Sequence, residues 1–306
     1  MEIENIIIIG SGPAGYSAAV YAARESFNPL MISGFNKGGQ LMLTSIVDNY
    51  PGFPDGIDGQ QLMELFRKQA ERFGTRFIDD NVTRVDFSSS PYAVYVNDTK
   101  YLSRSVIIAT GASSKWLGID SEKRLIGKGV SSCATCDAPF FKGKDVVVVG
   151  GGDTAMEDSL FLTKFAKSVT LVHRREEFRA SKIMQAKVRE NPKIRIILNA
   201  TVDEVLGLNE VSGVKIRDVK NGQESELKAD GLFVAIGHYP NTDFVKGALS
   251  LDEKGYINTI EEVKTKIPGI FAAGDVVDHV YKQAATAAAS GVKAALEART
   301  YLNENE

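Results

Sequence analysis

Two short β-branched runs, each ending on a glycine-rich turn, limit what this chain can fold into more than any other feature. Asn5-Ile6-Ile7-Ile8-Ile9 runs into Gly10-Ser11-Gly12-Pro13-Ala14-Gly15, and Asp145-Val146-Val147-Val148-Val149 runs into Gly150-Gly151-Gly152-Asp153-Thr154-Ala155. Apolar residues in continuous rather than alternating order predict strands buried on both faces, the condition of a parallel sheet covered on each side. Helical sequence follows each turn, at residues 16–24 and 156–165, and a second strand follows each helix, at 29–33 and 168–173. The expected fold class is α/β, with two Rossmann-like three-layer domains. Further buried strands are expected at 105–109, 232–236 and 270–273, and the alanine-rich stretch 283–298 reads as a long closing helix whose small residues serve close packing. The turn-forming stretches 110–114 and 237–241 suit linkers, so a middle domain at 115–241 is expected to be inserted into an outer domain made of 1–114 and 242–306.

Glycine-rich turns between a strand and a helix suit a pyrophosphate, because the anion needs backbone without side chains and the helix start aims N–H groups at it. Two tight turns in unrelated α/β units are the alternative. The end of the second strand separates the nucleotides. An acidic residue there serves a ribose hydroxyl, whereas arginine serves a 2′-phosphate. In the second unit this position reads His173-Arg174-Arg175, with Arg179 shortly after, which places four potentially cationic groups there and favours NADPH over NADH. A solvated basic face paired with Glu176 and Glu177 is the competing reading. The first unit ends in residues 32–40 without a clear ribose acid, so it is not an ordinary NAD site.

Both cysteines of the chain, Cys133 and Cys136, lie in one Cys-x-x-Cys segment. A bridge this local closes too small a ring to act as a structural staple and reads as redox chemistry. Zinc and inert thiols are the alternatives, but no second cysteine pair exists and the nearest histidine is His173, so no metal site is expected. Cysteine used only here fits a reducing compartment. A net charge of -3 gives no global positive field for nucleic acid or an anionic membrane. The acidic start lacks the basic residues of a secretory signal, and no stretch reaches the ~18 apolar residues of a membrane span. A cytoplasmic protein with neither nucleic-acid nor membrane partners is expected.

In order and spacing, the two glycine turns, Lys37-Gly38-Gly39-Gln40-Leu41, Ala109-Thr110-Gly111, Cys133-Ala134-Thr135-Cys136-Asp137, His173-Arg174-Arg175 and Ala272-Ala273-Gly274-Asp275 resemble the low-molecular-weight, bacterial-type thioredoxin reductases over essentially the whole chain. The resemblance implies that the first unit holds FAD through Gly10, Ser11, Gly12, Pro13, Ala14, Gly15, Gly38, Gly39, Gln40, Asn49, Ala109, Thr110, Gly111, Gly274, Asp275, Gln283 and Ala284. It implies NADPH on Gly150, Gly151, Gly152, Asp153, Thr154, Ala155, His173, Arg174, Arg175 and Arg179. Cys136 would face the flavin, Cys133 would attack the disulfide of the partner thioredoxin, and Asp137 would act as acid and base, its alternative being a helix cap or surface aspartate. A homodimer and a swing of the inserted domain about its two linkers are also implied. The chain departs from the family pattern at Asn36, where glutamate is frequent, at Lys282, where arginine is, and at Asp-Ala-Pro-Phe-Phe, residues 137–141. Rival readings are an FAD-dependent dithiol oxidase, a disulfide reductase serving another thioredoxin- or glutaredoxin-like partner, and a redox-inactive binding module. The His-Arg-Arg segment counts against the oxidase, which needs no NADPH.

Overall fold

A computed structural model describes residues 2–44 and 46–305. Met1 and Glu306, the ends of the expected outer domain, and Ser45 within it lie outside the described residues. The chain forms two compact units, one made of the residues up to Ser113 together with those from Tyr239 onward, the other of Ser114–His238.

In the first unit, parallel pairing runs from Arg76–Ile78 through Leu30–Ile32 and Ile3–Ile9 to Thr99–Ile108. The far edge of that last strand is shared. Its first half pairs antiparallel with Tyr92–Val96, which hairpins to Arg84–Asp86, and its end pairs parallel with Ile270–Ala272. Ile6 and Ile8 pack against Ala18 and Ala22 of the helix Pro13–Arg24 and against Ala294 and Ala298 of the helix Ala284–Glu304. Ile7 and Ile9 point the other way, into a core with Val85, Tyr92 and Val94 of the hairpin. Both faces are buried, so the run is apolar without alternation, and each isoleucine contributes roughly 2 kcal/mol through burial. The alanine-rich final helix is small for a reason. A Cβ on Gly291 would lie 2.0 Å from the Ala14 carbonyl oxygen, so the two helices cross at backbone distance. Pro13 starts its helix three residues before the expected 16, since its fixed φ suits the first helical position.

The second unit repeats the design with a five-stranded parallel sheet in the order Val130–Ser131, Gly231–Ala235, Asp145–Gly150, Ser168–His173, Ile194–Leu198. Val146 and Val148 face the helices Asp153–Leu162 and Lys182–Glu190. Val147 and Val149 face an antiparallel meander, Ala200–Leu206, Gly213–Asp218 and Glu224–Lys228, through its Val202, Val205, Val214 and Ile216. This meander is the third layer of the unit, and its individual strands are not among those expected from the sequence.

Candidate functional site

The first glycine turn lies at the C-terminal ends of the parallel strands Ile3–Ile9, Thr99–Ile108 and Ile270–Ala272, the end at which open α/β sheets bind ligands. Its glycines answer to different demands. A Cβ on Gly10 would lie 2.4 Å from the Ala109 carbonyl oxygen and one on Gly15 2.0 Å from that of Gly10, so these two allow strand, turn and helix to pack. Gly12 caps the helix at φ -75° and ψ -174°, which any residue adopts, and a Cβ there would meet nothing within 4 Å. Neither backbone nor packing requires glycine at 12, whereas a phosphate resting on the helix start does.

Other first-unit residues gather at this end of the sheet. Ser11 Oγ donates to Ser33 O (2.7 Å) and accepts from the Gly38 N–H (3.1 Å), and a Cβ on Gly39 would lie 3.5 Å from Gly12 Cα, so the segment carrying Gly38, Gly39 and Gln40 rests on the turn. Thr110 Oγ1 donates to Asn241 O (2.8 Å) and Asn241 Nδ2 donates back to Thr110 O (2.9 Å), which fixes the loop Ala109, Thr110 and Gly111 that follows the strand end at Ile108. A Cβ on Gly274 would lie 2.8 Å from Ala14 Cβ, bringing Asp275 to the start of the first helix. Asn49 Nδ2 donates to Gln283 Oε1 (3.1 Å), immediately before Ala284 opens the last helix. Burial drives the Asp275 carboxyl up to about 7, with repulsion from Asp278 adding and Lys282 opposing. The Ser33 hydroxyl, on a residue only 3% exposed, has no partner among the described residues. A buried hydroxyl left unpaired costs about 1–3 kcal/mol, so it marks a place where a bound group would be hydrogen-bonded. The open cradle at Gly12 and this orphaned oxygen fit a dinucleotide.

The second turn follows the same logic. Gly150 avoids the Ala235 carbonyl oxygen (2.4 Å from an added Cβ), Ala155 takes the place of the third glycine, and a Cβ on Gly152 would meet nothing within 4 Å at φ -100° and ψ 179°. Thr154 is exposed beside it. Arg174, Arg175 and Arg179 are exposed, and among the described residues none of them forms an ion pair. Glu176 pairs instead with Lys220 (3.2 Å).

The same unit carries the sulfur chemistry. Cys133 and Cys136 form a disulfide, Cys133 capping and Cys136 lying within the short helix Ala134–Asp137. The Cys133 N–H donates to Ser131 Oγ (3.0 Å), and Thr135 Oγ1 lies 3.3 Å from Cys133 Sγ. Burial raises the Asp137 carboxyl above the ordinary carboxylate range, opposed by a hydrogen bond from the Ser131 hydroxyl. Ser131 therefore touches both the first cysteine's backbone and the half-buried acid. Phe141 packs in the core against Phe233 with ring centroids 5.1 Å apart, while Phe140 is exposed.

The pyridine nucleotide-disulphide oxidoreductase family model matches residues 4–291. Thioredoxin reductases of Rickettsia typhi and Mycolicibacterium smegmatis are 50% and 48% identical to the chain, covering 98% and 99% of it and 98% of each relative. The solved thioredoxin reductase of Streptococcus pyogenes is 40% identical, covers 99% of both chains and superimposes with a TM-score of 0.95. The chain belongs to the thioredoxin reductase family of pyridine nucleotide-disulphide oxidoreductases. It is therefore an oxidoreductase of α/β fold, as its two strand-and-turn repeats led us to expect.

Two of the residues read as nucleotide contacts in the second unit also brace its fold. His173 was expected among four cationic groups, yet it is buried, and burial, with Arg179 and Arg175 adding, holds its imidazole below the usual range against hydrogen bonds to the Glu177 and Gly150 carbonyls. Its ring packs against Gly151 and Phe178, with Nε2 3.1 Å from the Glu177 carbonyl oxygen. The Asp153 carboxylate accepts the Ser181 N–H (2.9 Å) and so ties a loop to the turn. Sequence reasoning did not find Ser33, Asn241, Ser131 or Ser181. Ser33 alone carried a signal, a polar residue directly after the second strand.

Proposed function

We propose that the chain is an NADPH-dependent thioredoxin-disulfide reductase, with FAD held by the first unit and NADPH by the second. The observation that carries the reading is the Cys133–Cys136 disulfide followed directly by the half-buried Asp137 carboxyl, in the unit that also presents an open glycine turn and three exposed arginines without an ion pair among the described residues. The names of the relatives support it. In the first unit Gly12, Gly39 and Ser33 would receive the dinucleotide, with Asp275 accepting a hydroxyl hydrogen bond. In the second, Gly152 would receive the pyrophosphate and Arg174, Arg175 and Arg179 the 2′-phosphate, since guanidinium forks match phosphate oxygens. A bound flavin supplies the two-electron chemistry that connects a hydride donor to a disulfide.

Two electrons and one proton entering the Cys133–Cys136 bond break it, leaving a thiolate on Cys133 and a thiol on Cys136. Cys133 then attacks one sulfur of the thioredoxin disulfide to form a mixed disulfide, and the departing thioredoxin sulfur needs a proton. Asp137 supplies it, because burial keeps the carboxyl protonated to higher pH than a surface aspartate. Cys136 then passes its proton to the Asp137 carboxylate and attacks Cys133, which re-forms the bridge and releases the reduced partner, whose second sulfur takes a proton from solvent. Overall, NADPH, a proton and a protein disulfide become NADP+ and a dithiol. Asp137→Asn is expected to slow the exchange with thioredoxin about a hundredfold while leaving NADPH-driven flavin bleaching unchanged. Equal exchange rates in stopped-flow would remove Asp137 from the chemistry.

Asp275 gives a separate expected outcome. Its folded pKa of about 7 lies above its ordinary value of 3.8, so its contribution to the stability of the flavin-free protein is full below about pH 4 and is lost as pH rises towards 7, by at most on the order of 4 kcal/mol. Asp275→Asn should raise the Tm of the flavin-stripped protein at pH 8 more than at pH 5, while weakening flavin binding. The same gain at both pH values would show that the carboxyl is not costly when charged.

The reading includes a cytoplasmic homodimer. Cysteines confined to one redox pair are at home in a reducing compartment, and among the described residues no helix is long and apolar enough to cross a membrane. The direct test is an assay of the purified yellow protein with NADPH, thioredoxin and a chromogenic disulfide. Turnover that requires all three and prefers NADPH to NADH is expected. Flavin bleaching without thioredoxin reduction would move the activity to another disulfide partner.

A further inference from the structure

We infer that His173 is a positioning residue: its ring clamps the arginine-bearing loop onto the second glycine turn and thereby sets nucleotide affinity. The ring occupies the space that a side chain at position 151 would need. A Cβ on Gly151 would lie 2.2 Å from His173 Cε1 and 2.3 Å from Nδ1, so Gly151 is glycine because His173 is where it is. The other edge of the ring meets the Glu177 carbonyl oxygen at 3.1 Å from Nε2, and its face lies against Phe178, centroids 5.1 Å apart. The main chain of the loop returns to the same glycine. Arg179 and Ala180 donate their N–H groups to Gly151 O at 2.8 and 3.1 Å. One peptide is thus held from two sides, by an imidazole over its Cα and by two amides on its carbonyl.

The three arginines branch from this clamp. Arg174 and Arg175 directly follow the histidine and Arg179 directly follows Phe178. A loop that carries cations for a phosphate binds best when it is already in place, because ordering it on binding would subtract from affinity. The first unit ties its turn to the loop after its second strand by other means, since Ser11, standing where the second turn has Gly151, hydrogen-bonds Ser33 O and the Gly38 N–H. The second turn has no side chain at that position, and the ring supplies the connection.

This inference rests on reading the second unit as the NADPH site. The test measures the Kd of NADP+ by calorimetry on the flavin-loaded protein, with hydrogen exchange of the Arg179 and Ala180 amides in the absence of nucleotide. His173→Ala should weaken NADP+ about tenfold and raise exchange at both amides, while His173→Gln, which keeps an N–H for the Glu177 carbonyl, should stay within about threefold of the parent. Gly151→Ala alone should also weaken NADP+ about tenfold, because its methyl meets the ring. The double variant Gly151→Ala/His173→Ala should bind no worse than either single one, since the methyl enters the space the ring leaves. Unchanged affinity in His173→Ala or in Gly151→Ala overturns the inference, as does a double variant whose loss is the product of the two. Should His173→Ala fail to fold, the Gln and Gly151→Ala arms decide. A parent protein that does not bind NADP+ at all defeats the underlying reading of the unit instead.

Discussion

Replacing Cys133 and Cys136 together by serine is expected to abolish NADPH-driven reduction of thioredoxin, by at least about a thousandfold, while the flavin still binds and is still bleached by NADPH. The fold tolerates this change because the bridge spans a sequence separation of 3. A loop that short contributes about 2 kcal/mol by constraining the unfolded chain, against a second unit built on two buried valine-rich faces. The single variants separate the roles. If Cys133 is the attacking sulfur, Cys136→Ser leaves a mixed disulfide with thioredoxin that cannot resolve and is recovered as a covalent adduct on a non-reducing gel. Cys133→Ser should give no such adduct. Adduct formation only in Cys133→Ser would exchange the two assignments, and full turnover in the double serine variant would take the sulfurs out of the proposed path altogether.

What could be read from the sequence follows from the length scale of each constraint. The runs Ile6–Ile9 and Val146–Val149 are local, unbroken and buried on both faces, so they announced parallel strands, and the glycines after them announced the turns. The meander Ala200–Leu206, Gly213–Asp218 and Glu224–Lys228 buries one face only, and charged residues such as Glu204, Lys215 and Glu226 alternate with its apolar ones, so short runs of it resemble exposed loop. Its strands gain their stability from the sheet they cover rather than from their own residues. The braces of the site were hidden for a related reason. Asn241 holds Thr110 across 131 positions, and Ser11 reaches Ser33 across 22, contacts that no spacing rule encodes. His173 was visible as a residue type, but its packing against Gly151 and Phe178 is a property of the folded loop.

The sharpest separation of the two nucleotide sites comes from Gly12 and Gly152, the two glycines of their turns where an added Cβ would meet nothing within 4 Å and the backbone lies in a region open to every residue. A larger side chain at either place should leave the polypeptide folded, with near-parental far-ultraviolet circular dichroism, and project into the space in front of a helix start. Gly12→Val is expected to yield colourless protein whose FAD affinity has fallen by about tenfold to a hundredfold or more, since crowding a fitted site costs about 1–3 kcal/mol. Gly152→Val should remain yellow and accept electrons from dithionite, yet require about tenfold to a hundredfold more NADPH for half-maximal flavin reduction. Gly15→Val is the contrasting case, since its side chain would strike the Gly10 carbonyl oxygen at 2.0 Å and should lower stability before any ligand is added. A colourless Gly152→Val with a yellow Gly12→Val would reverse the assignment of the two units. Two yellow proteins with parental NADPH dependence would mean that neither turn receives a phosphate, because no demand of the fold itself explains glycine at these two positions.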